Sequence, residues 1–348
     1  MDIKKLEALR DRYGDDALAQ AHNPEFKEVA DRVFAGTDRR PKPYEGISTF
    51  LGAPLVLPSA QQLELAGLDV ALIGVPMDLG VTNRSGARLG PRAVRSVERM
   101  GPFHHVHRLA PLFEARVADI GDVPFRSRFN LAESHQDIEA FFAGIAAARV
   151  APLSVGGDHS ISLPILKALG RERSIGMLHI DAHCDTGPPF EGSKFHHGGP
   201  FRQAVLAGVL DPERTIQIGI RGGAEFLWEF SYDSGMTVIH AEEFTRLGVA
   251  RTIEMIRAMM AEAPVYVSFD VDALDPAFAP GTGTPEVGGL STREATELLR
   301  GCAGLNIIGG DVVEVAPQFD ATTNTAQAAA QMLFEILALI VLGRRPRP

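Results

Sequence analysis

Residues 174–186 read SIGMLHIDAHCDT, an apolar run from Ile175 to Ile180 that passes directly into Asp181, His183 and Asp185. Seven further segments are built alike, short and rich in Val and Ile: DVALIGVP (69–76), RVADIGD (116–122), APLSVGGD (151–158), TIQIGIRG (215–222), MTVIHAEE (236–243), PVYVSFDVD (264–272) and NIIGGDVVEV (306–315). Runs that are apolar on both faces belong to strands covered on both faces, hence to a parallel sheet flanked by helices, and amphipathic segments lie between them. No fixed-period repeat, low-complexity stretch or Ser/Pro linker divides residues 69–342. One catalytic domain is therefore expected over 69–348, preceded by an N-terminal extension, 1–68. That extension allows short helices over 2–13 and 24–35, and is expected to wrap the body or touch a neighbouring subunit. In such sheets ligands bind outside the carboxyl ends of the strands.

Composition narrows the partners. The chain has 348 residues, 34 Lys plus Arg against 44 Asp plus Glu, and a formal charge of −10, which repels phosphate backbones and argues against nucleic acid. No polybasic run marks a membrane surface. Two cysteines, Cys184 and Cys302, make no disulfide framework, and no leader-like segment opens the sequence, so a reducing cytoplasm is expected. The most apolar tract, AAAQMLFEILALIVLG (328–343), contains Gln331 and Glu335. It falls short of the roughly 20 residues of a spanning helix, and a packed C-terminal helix is expected.

Three strand ends carry polar clusters: GGDHS (156–160), DAHCDT (181–186) and DVDALDP (270–276). The first end supplies His159; residues two apart on an extended chain point the same way, so Asp181, His183 and Asp185 can converge, as can Asp270 and Asp272. Taken singly, such a residue is usually a cap or a satisfied loop residue. Taken together, four uncompensated carboxylates at buried strand ends would cost several kcal/mol each unless cations neutralised them. Two divalent ions sharing carboxylates account for the number of donors, and a water held between them becomes a nucleophile at neutral pH.

These motifs, with HHGGPF (196–201), SFDVDALDPAFAPGTGTPEVGGL (268–290) and DVVEVAP (311–317), resemble the ureohydrolases, the family of arginase, agmatinase and the guanidino-acid hydrolases. The resemblance covers about residues 69–342. It implies a three-layer αβα domain with an eight-stranded parallel sheet, a binuclear nickel or manganese centre, trimers or hexamers, and hydrolysis of a guanidine carbon–nitrogen bond. It further implies one metal on His159, Asp181, Asp185 and Asp270, and a second on Asp181, His183, Asp270 and Asp272. His197 matches the proton-shuttling histidine and Glu314 the glutamate that holds the guanidinium, while Asp185 is placed to pass a proton to the departing nitrogen. Gly199 stands where many members have Thr. A catalytically idle subunit would lack a ligand or the shuttle, and all are present here. A histone-deacetylase-like amidohydrolase would use one zinc and fewer carboxylates.

Other residues invite functional roles. His104 and His105 in FHHVH (103–107) are expected in loop or core positions, His196 as a neighbour that shapes its loop, and Cys184 as packing. The Gly-rich stretches 80–91 and 281–289 carry no nucleotide fingerprint and are expected to form tight loops at the site mouth. Period-two aromatics at Phe226, Trp228, Phe230 and Tyr232 can form either a cation-binding wall or packing, with packing preferred. For the substrate, GISTFLGAP (46–54), GVTNRSGARLGP (80–91), KFHHGGPF (194–201) and LWEFSYDSGMTVIHAEE (227–243) are most similar to the nickel-dependent guanidine and metformin hydrolases. A small cationic guanidine compound is the expected substrate, with nickel ahead of manganese; the 3-guanidinopropionate and 4-guanidinobutyrate hydrolases and agmatinase are the alternatives. A guanidino acid would need a clamp for its carboxylate, with Arg84, Arg88 and Arg221 as candidates.

Overall fold

The computed structural model describes residues 2–14, 21–34, 45–57, 67–97, 102–223 and 225–344. All eight apolar runs are strands: β1 (Val70–Val75), β2 (Val117–Asp122), β3 (Ala151–Gly156), β4 (Ile175–Ile180), β5 (Leu210–Ile220), β6 (Thr237–His240), β7 (Val265–Asp270) and β8 (Ile307–Val313). They pair in parallel throughout, in the order β2-β1-β3-β8-β7-β4-β5-β6. The helices are α1 (Ile3–Tyr13), α2 (Pro24–Phe34), α3 (Gly90–Arg95), α4 (Pro111–Glu114), α5 (Leu131–Ala147), α6 (Ser162–Leu169), α7 (Pro200–Leu206), α8 (Glu229–Ser234), α9 (Ala241–Met260), α10 (Thr292–Gly301) and α11 (Asn324–Arg344).

Alternation along the strands builds two cores, one on each face of the sheet. Leu72, Leu153, Leu178 and Val267 pack on one side with Val94 of α3, Ile256 of α9, Leu298 of α10 and Ile336 of α11. Ala71, Ile73, Met177 and Tyr266 pack on the other with Phe142 of α5, Leu166 of α6 and Phe201 of α7. The result is the three-layer αβα sandwich. Each fully buried large aliphatic side chain adds about 1.5–3 kcal/mol through removal from water. Local chemistry starts the helices where they are needed: Ser291 and Glu294 form a reciprocal capping box at the head of α10. The central strands β3, β8, β7 and β4 are consecutive in the sheet, and their carboxyl ends point to one mouth.

The expected N-terminal helices form as α1 and α2. Phe50 is buried with the Arg95 guanidinium 4.0 Å above its ring, and Leu55 bridges to Asp119 beside β2. Other parts of the extension, 15–20, 35–44 and 58–66, lie outside the described residues.

The C-terminal helix corrects one inference from length. It runs 21 residues, starting at Asn324 rather than near 328, and by length and composition alone it is able to cross a membrane. Its surroundings give it another role: 78% of its most apolar window is buried against the sheet, and Glu335 lies within that packed face. Glu335 accepts from Arg300 Nη2 at 2.8 Å and lies 2.7 Å from His104 Nε2, which places His104 in the core as expected. Burial opposes ionisation of Glu335, but His104 and Arg300 outweigh it and hold the carboxyl below its usual value of 4.5. A carboxylate with a lowered folded-state pKa stabilises above its unfolded pKa and loses that contribution as pH falls through the folded value. Glu335→Ala is therefore expected to cost about 3–5 kcal/mol at pH 7 by leaving the Arg300 charge unpaired. In urea titrations the gap to wild type should shrink as pH falls below 4.5. A gap independent of pH would contradict the ion-pair assignment.

Candidate active site

Four strand ends deliver the polar groups. His159 follows β3, Asp181, His183 and Asp185 follow β4, Asp270 and Asp272 end or follow β7, and Glu314 follows β8. The six residues marked by their spacing as metal donors are brought together. His159 Nδ1 lies 2.9 Å from Asp185 Oδ2, 3.1 Å from Asp181 Oδ2 and 3.2 Å from Asp270 Oδ2. His183 Nδ1 lies 3.1 Å from Asp272 Oδ2 and 3.6 Å from Asp181 Oδ1. Two donor groups, His159/His179/Asp181 and Asp181/His183/Asp272, share Asp181.

The electrostatics explain what such a cluster requires. Burial raises the Asp270 pKa well above the usual carboxylate range, and Asp272 and Asp181 push it further. Asp272 is raised by burial and by Asp181. For Asp181, burial is outweighed by His179, His159 and His183, which hold its carboxyl low. Burial also opposes the charge on His159, but Asp181, Asp185 and Asp270 raise its pKa well above the usual value. Protons are drawn in because like charges crowd a dry site. His159 Nδ1 is buried without a well-formed hydrogen bond although three carboxylate oxygens surround it. Lone pairs converging on one point in this way, from oxygen and imidazole nitrogen donors, fit divalent cations.

Supporting contacts fix the imidazoles. Ser268 Oγ donates to Asp311 Oδ1 at 2.7 Å, so it accepts from His159 Nε2 at 2.8 Å and leaves Nδ1 to face the carboxylates. Asp311 in β8 is aligned with Ser268 in β7 and also accepts from Tyr266 and Ser162. His183 fits because residue 222 is glycine: a Cβ there would stand 2.4 Å from His183 Nε2.

Beside the cluster, His197 Nδ1 lies 2.8 Å from Glu314 Oε1, which also accepts the His159 N–H at 2.8 Å. Glu314 Oε2 is buried and has no hydrogen-bond partner. Burial works against a charge on His197, but Glu314, Asp158 and Asp185 raise its pKa to about 9. The Thr82 N–H aimed at Nε2 from 3.1 Å opposes that second proton. Asp185 and Glu314 both have left-handed backbone, with φ of 51° and 65°. That region costs a non-glycine residue about 1–2 kcal/mol.

A pocket of about 330 Å³ opens onto the cluster. Thr82 and Asn83 from one Gly-rich stretch and Thr284, Pro285 and Glu286 from the other line its mouth, as expected of those loops. Leu227 and Trp228 close another wall. The aromatic segment is helical rather than extended, running through Glu225–Leu227 and α8, so its period-two pattern does not form a continuous wall. Trp228 Nε1 donates to Gly222 O and its ring packs 4.6 Å from His240, whereas Phe226 faces solvent.

The three arginines considered as carboxylate clamps are engaged elsewhere. Arg221 donates to backbone carbonyls including Val287, Asp272 and Glu286, and Arg84 donates to Thr282 and Gly283 while stacking 4.3 Å from Phe319. Arg88 pairs with Asp78. His196 Nε2 lies 2.9 Å from Pro188 O and pins its loop; a Cβ on Gly199 would stand 3.0 Å from that nitrogen, which accounts for the glycine. Cys184 is buried, its thiol pushed up to about 12 by burial.

The sequence alone missed His179, whose Nε2 lies 2.7 Å from Asp181 Oδ2 and whose Nδ1 lies 3.0 Å from the Gln217 amide. The two-residue alternation that linked 181, 183 and 185 extends back to 179. Thr82 and Asp158 were missed as well; each reaches the site through a loop and leaves no periodic signal.

Fold and donor set together define an α/β protein whose strand ends are able to hold divalent cations. The profile of the arginase family matches residues 68–339. The guanidinopropionase of Pseudomonas aeruginosa is 49% identical over 306 residues, which cover 86% of this chain and 96% of that protein. The guanidinobutyrase of the same organism is 42% identical, covering 85% and 93%, and the mitochondrial agmatinase of Gallus gallus 43%, covering 85% and 86%. Among solved structures, the proclavaminate amidino hydrolase of Streptomyces clavuligerus superposes with a TM-score of 0.83 at 35% identity, over 87% of this chain and all of that one. The chain belongs to the arginase family, and it is a hydrolase acting on carbon–nitrogen bonds of linear amidines.

Equilibrium dialysis against manganese or nickel is expected to give two equivalents of metal per chain and to raise the Tm through preferential binding to the folded state. Asp270→Asn should lower the stoichiometry at both positions. One equivalent in a fully active wild type would contradict a paired site.

Proposed function

We propose that this chain hydrolyses an ω-guanidino compound, with a short guanidino acid such as 3-guanidinopropionate as the leading substrate. The observation that carries the chemistry is the convergence of four carboxylates and two imidazoles beside the His197–Glu314 pair. The 49% identity to a guanidinopropionase supports the acid over the guanidine and metformin reading of the sequence motifs. His159, Asp181, Asp185 and Asp270 would hold one divalent ion, and Asp181, His183, Asp270 and Asp272 the other. Manganese is the first choice and nickel the second; a formiminoglutamase of Trypanosoma cruzi, 25% identical with a TM-score of 0.72, has been solved with manganese.

Bound cations supply a water acidic enough to act as a nucleophile at neutral pH. The protein does the rest. Glu314 offers Oε2 to the guanidinium and offsets its charge as the trigonal carbon becomes tetrahedral. Asp185 takes the proton released at the attacking oxygen and passes it to the departing nitrogen, which leaves as a neutral amine. His197 restores the proton balance with solvent. The enclosed pocket holds the reactants in register and so removes much of the entropic part of the barrier.

A second reading is favoured by one feature of the wall. Glu286 lines the pocket, its side chain 42% exposed, and no Lys or Arg lies among the described lining residues. A guanidino acid's carboxylate would have to be read by a neutral donor such as Asn83. A cationic tail, as in agmatine, or a small cation such as guanidine or metformin would suit Glu286.

Initial rates of urea and amine release from 3-guanidinopropionate, 4-guanidinobutyrate, agmatine, guanidine, metformin and arginine, with each metal, decide between them. The expected outcome is a kcat/KM for a guanidino acid at least about tenfold above that for arginine, equal to about 1.4 kcal/mol of transition-state discrimination. Preference for agmatine or guanidine would transfer the specificity to Glu286. The resemblance also implies a trimer or hexamer, of one chain or with a related second chain. Light scattering should show it, and an active monodisperse monomer would contradict it.

A further inference from the structure

Within this site, His197 has no free nitrogen. Nδ1 faces Glu314 Oε1 at 2.8 Å, while Nε2 faces the Thr82 hydroxyl at 2.7 Å and the Thr82 N–H at 3.1 Å. His197 is 7% exposed, whereas Thr82 is exposed and lines the pocket. A proton passing between Nε2 and the reacting groups meets the threonine hydroxyl. We propose that Thr82 is the proton relay between His197 and the pocket, an inference that rests on the amidinohydrolase reading above.

A hydroxyl suits both states of the ring. It donates to Nε2 of the neutral imidazole and, with a small rotation, accepts from Nε2–H of the imidazolium. The neighbouring backbone N–H only donates, so it favours the neutral ring and returns the proton outward. Inward transfer balances as follows: a pocket water or ammonium gives a proton to Thr82 Oγ1 while the hydroxyl's own proton passes to Nε2. One bond to hydrogen breaks at the donor and one at Oγ1, while one O–H bond forms at Oγ1 and one N–H bond at Nε2; the donor is left as ammonia or hydroxide and the imidazolium charge arrives opposite the Glu314 carboxylate. The reverse sequence delivers a proton to the departing amine.

The loop is pinned on both sides of this contact. Gly80 N donates to Asp158 Oδ2 at 2.7 Å, and Gly80 O accepts the His197 N–H at 2.9 Å. Two residues beyond Thr82, Arg84 donates to Thr282 O at 2.6 Å and stacks on Phe319. A side chain at residue 80 would place its Cβ 2.7 Å from Ser160 Oγ, so glycine sets how closely the loop approaches. Threonine's β-branching restricts χ1 and holds the hydroxyl on the ring.

The test uses the metal-loaded enzyme and whichever guanidino compound it turns over best. Thr82→Val keeps the shape and removes the hydroxyl; kcat should fall about tenfold to a hundredfold, at the lower end of the usual scale for a proton-transfer group, with KM and metal content unchanged. Thr82→Ser should recover most of the rate. High concentrations of imidazole buffer should raise kcat of Thr82→Val and leave wild type unaffected, because a diffusing proton carrier replaces a lost relay but not a lost structural contact. Thr82→Ala serves if the valine variant folds poorly. An active wild type with an unimpaired Thr82→Val overturns the relay alone, as does a deficit that neither serine nor buffer repairs. A wild type inert toward every guanidino compound overturns the functional reading and the relay with it.

Discussion

Mutual repulsion among Asp181, Asp185, Asp270 and Asp272 is the constraint around which the rest is arranged. Three of these acids approach one imidazole nitrogen within 3.2 Å, in a place water hardly reaches. Such a cluster persists only if its scaffold is stiff and its charge is met from outside. Stiffness comes from the sheet: the donors leave three of four adjacent central strands, whose carboxyl ends are fixed by parallel pairing and by helices on both faces. Protons can meet part of that charge, and the donor set fits cations that would meet the rest. The buried hydroxyls around Asp311 form the floor of this arrangement, since they orient His159 from behind without adding charge of their own.

Most of the fold was legible because a buried parallel strand leaves a strong mark. A strand covered on both faces has little use for polar residues until it ends, and then polar residues appear together. The convergence of the donor side chains was legible for the same reason, as two-residue alternation turns spacing into direction. Legibility failed where geometry depends on elements far apart in the chain. Arg84, Arg88 and Arg221 looked available, yet each is held by carbonyls or a carboxylate contributed by the fold. The aromatics around Trp228 alternated as in a strand, but the segment coils and sends Phe226 to solvent. At the C-terminus the apolar tract understated the helix, since α11 begins at Asn324 and is long enough for a bilayer, yet the packed helix expected there is the one observed.

The two readings of the substrate reflect a division between chemistry and selection. The donor residues of the cluster and Glu314 lie at or just beyond strand ends, and the fold constrains them tightly. Residues farther out on the pocket wall, Asn83, Trp228 and Glu286 among them, lie on connecting segments, where sequence changes more readily than in the sheet. Kinship to a guanidinopropionase and a pocket edged by a glutamate therefore coexist in one molecule. The first speaks to the shared reaction and its near relatives. The second concerns a few side chains.

The left-handed backbone at Asp185 and Glu314 places stability and activity at odds. Glycine adopts those dihedral angles without the steric penalty borne by an acid, so a selection for folding alone would reward its arrival at either position if the strain relieved exceeded the loss of contacts. On the roles proposed for Asp185 and Glu314, a selection for turnover would forbid it, because the carboxylates would vanish. Improvement of this protein for heat resistance thus has two positions where the backbone invites a replacement that the chemistry cannot accept, and compensation has to be sought elsewhere in the sheet and its helices.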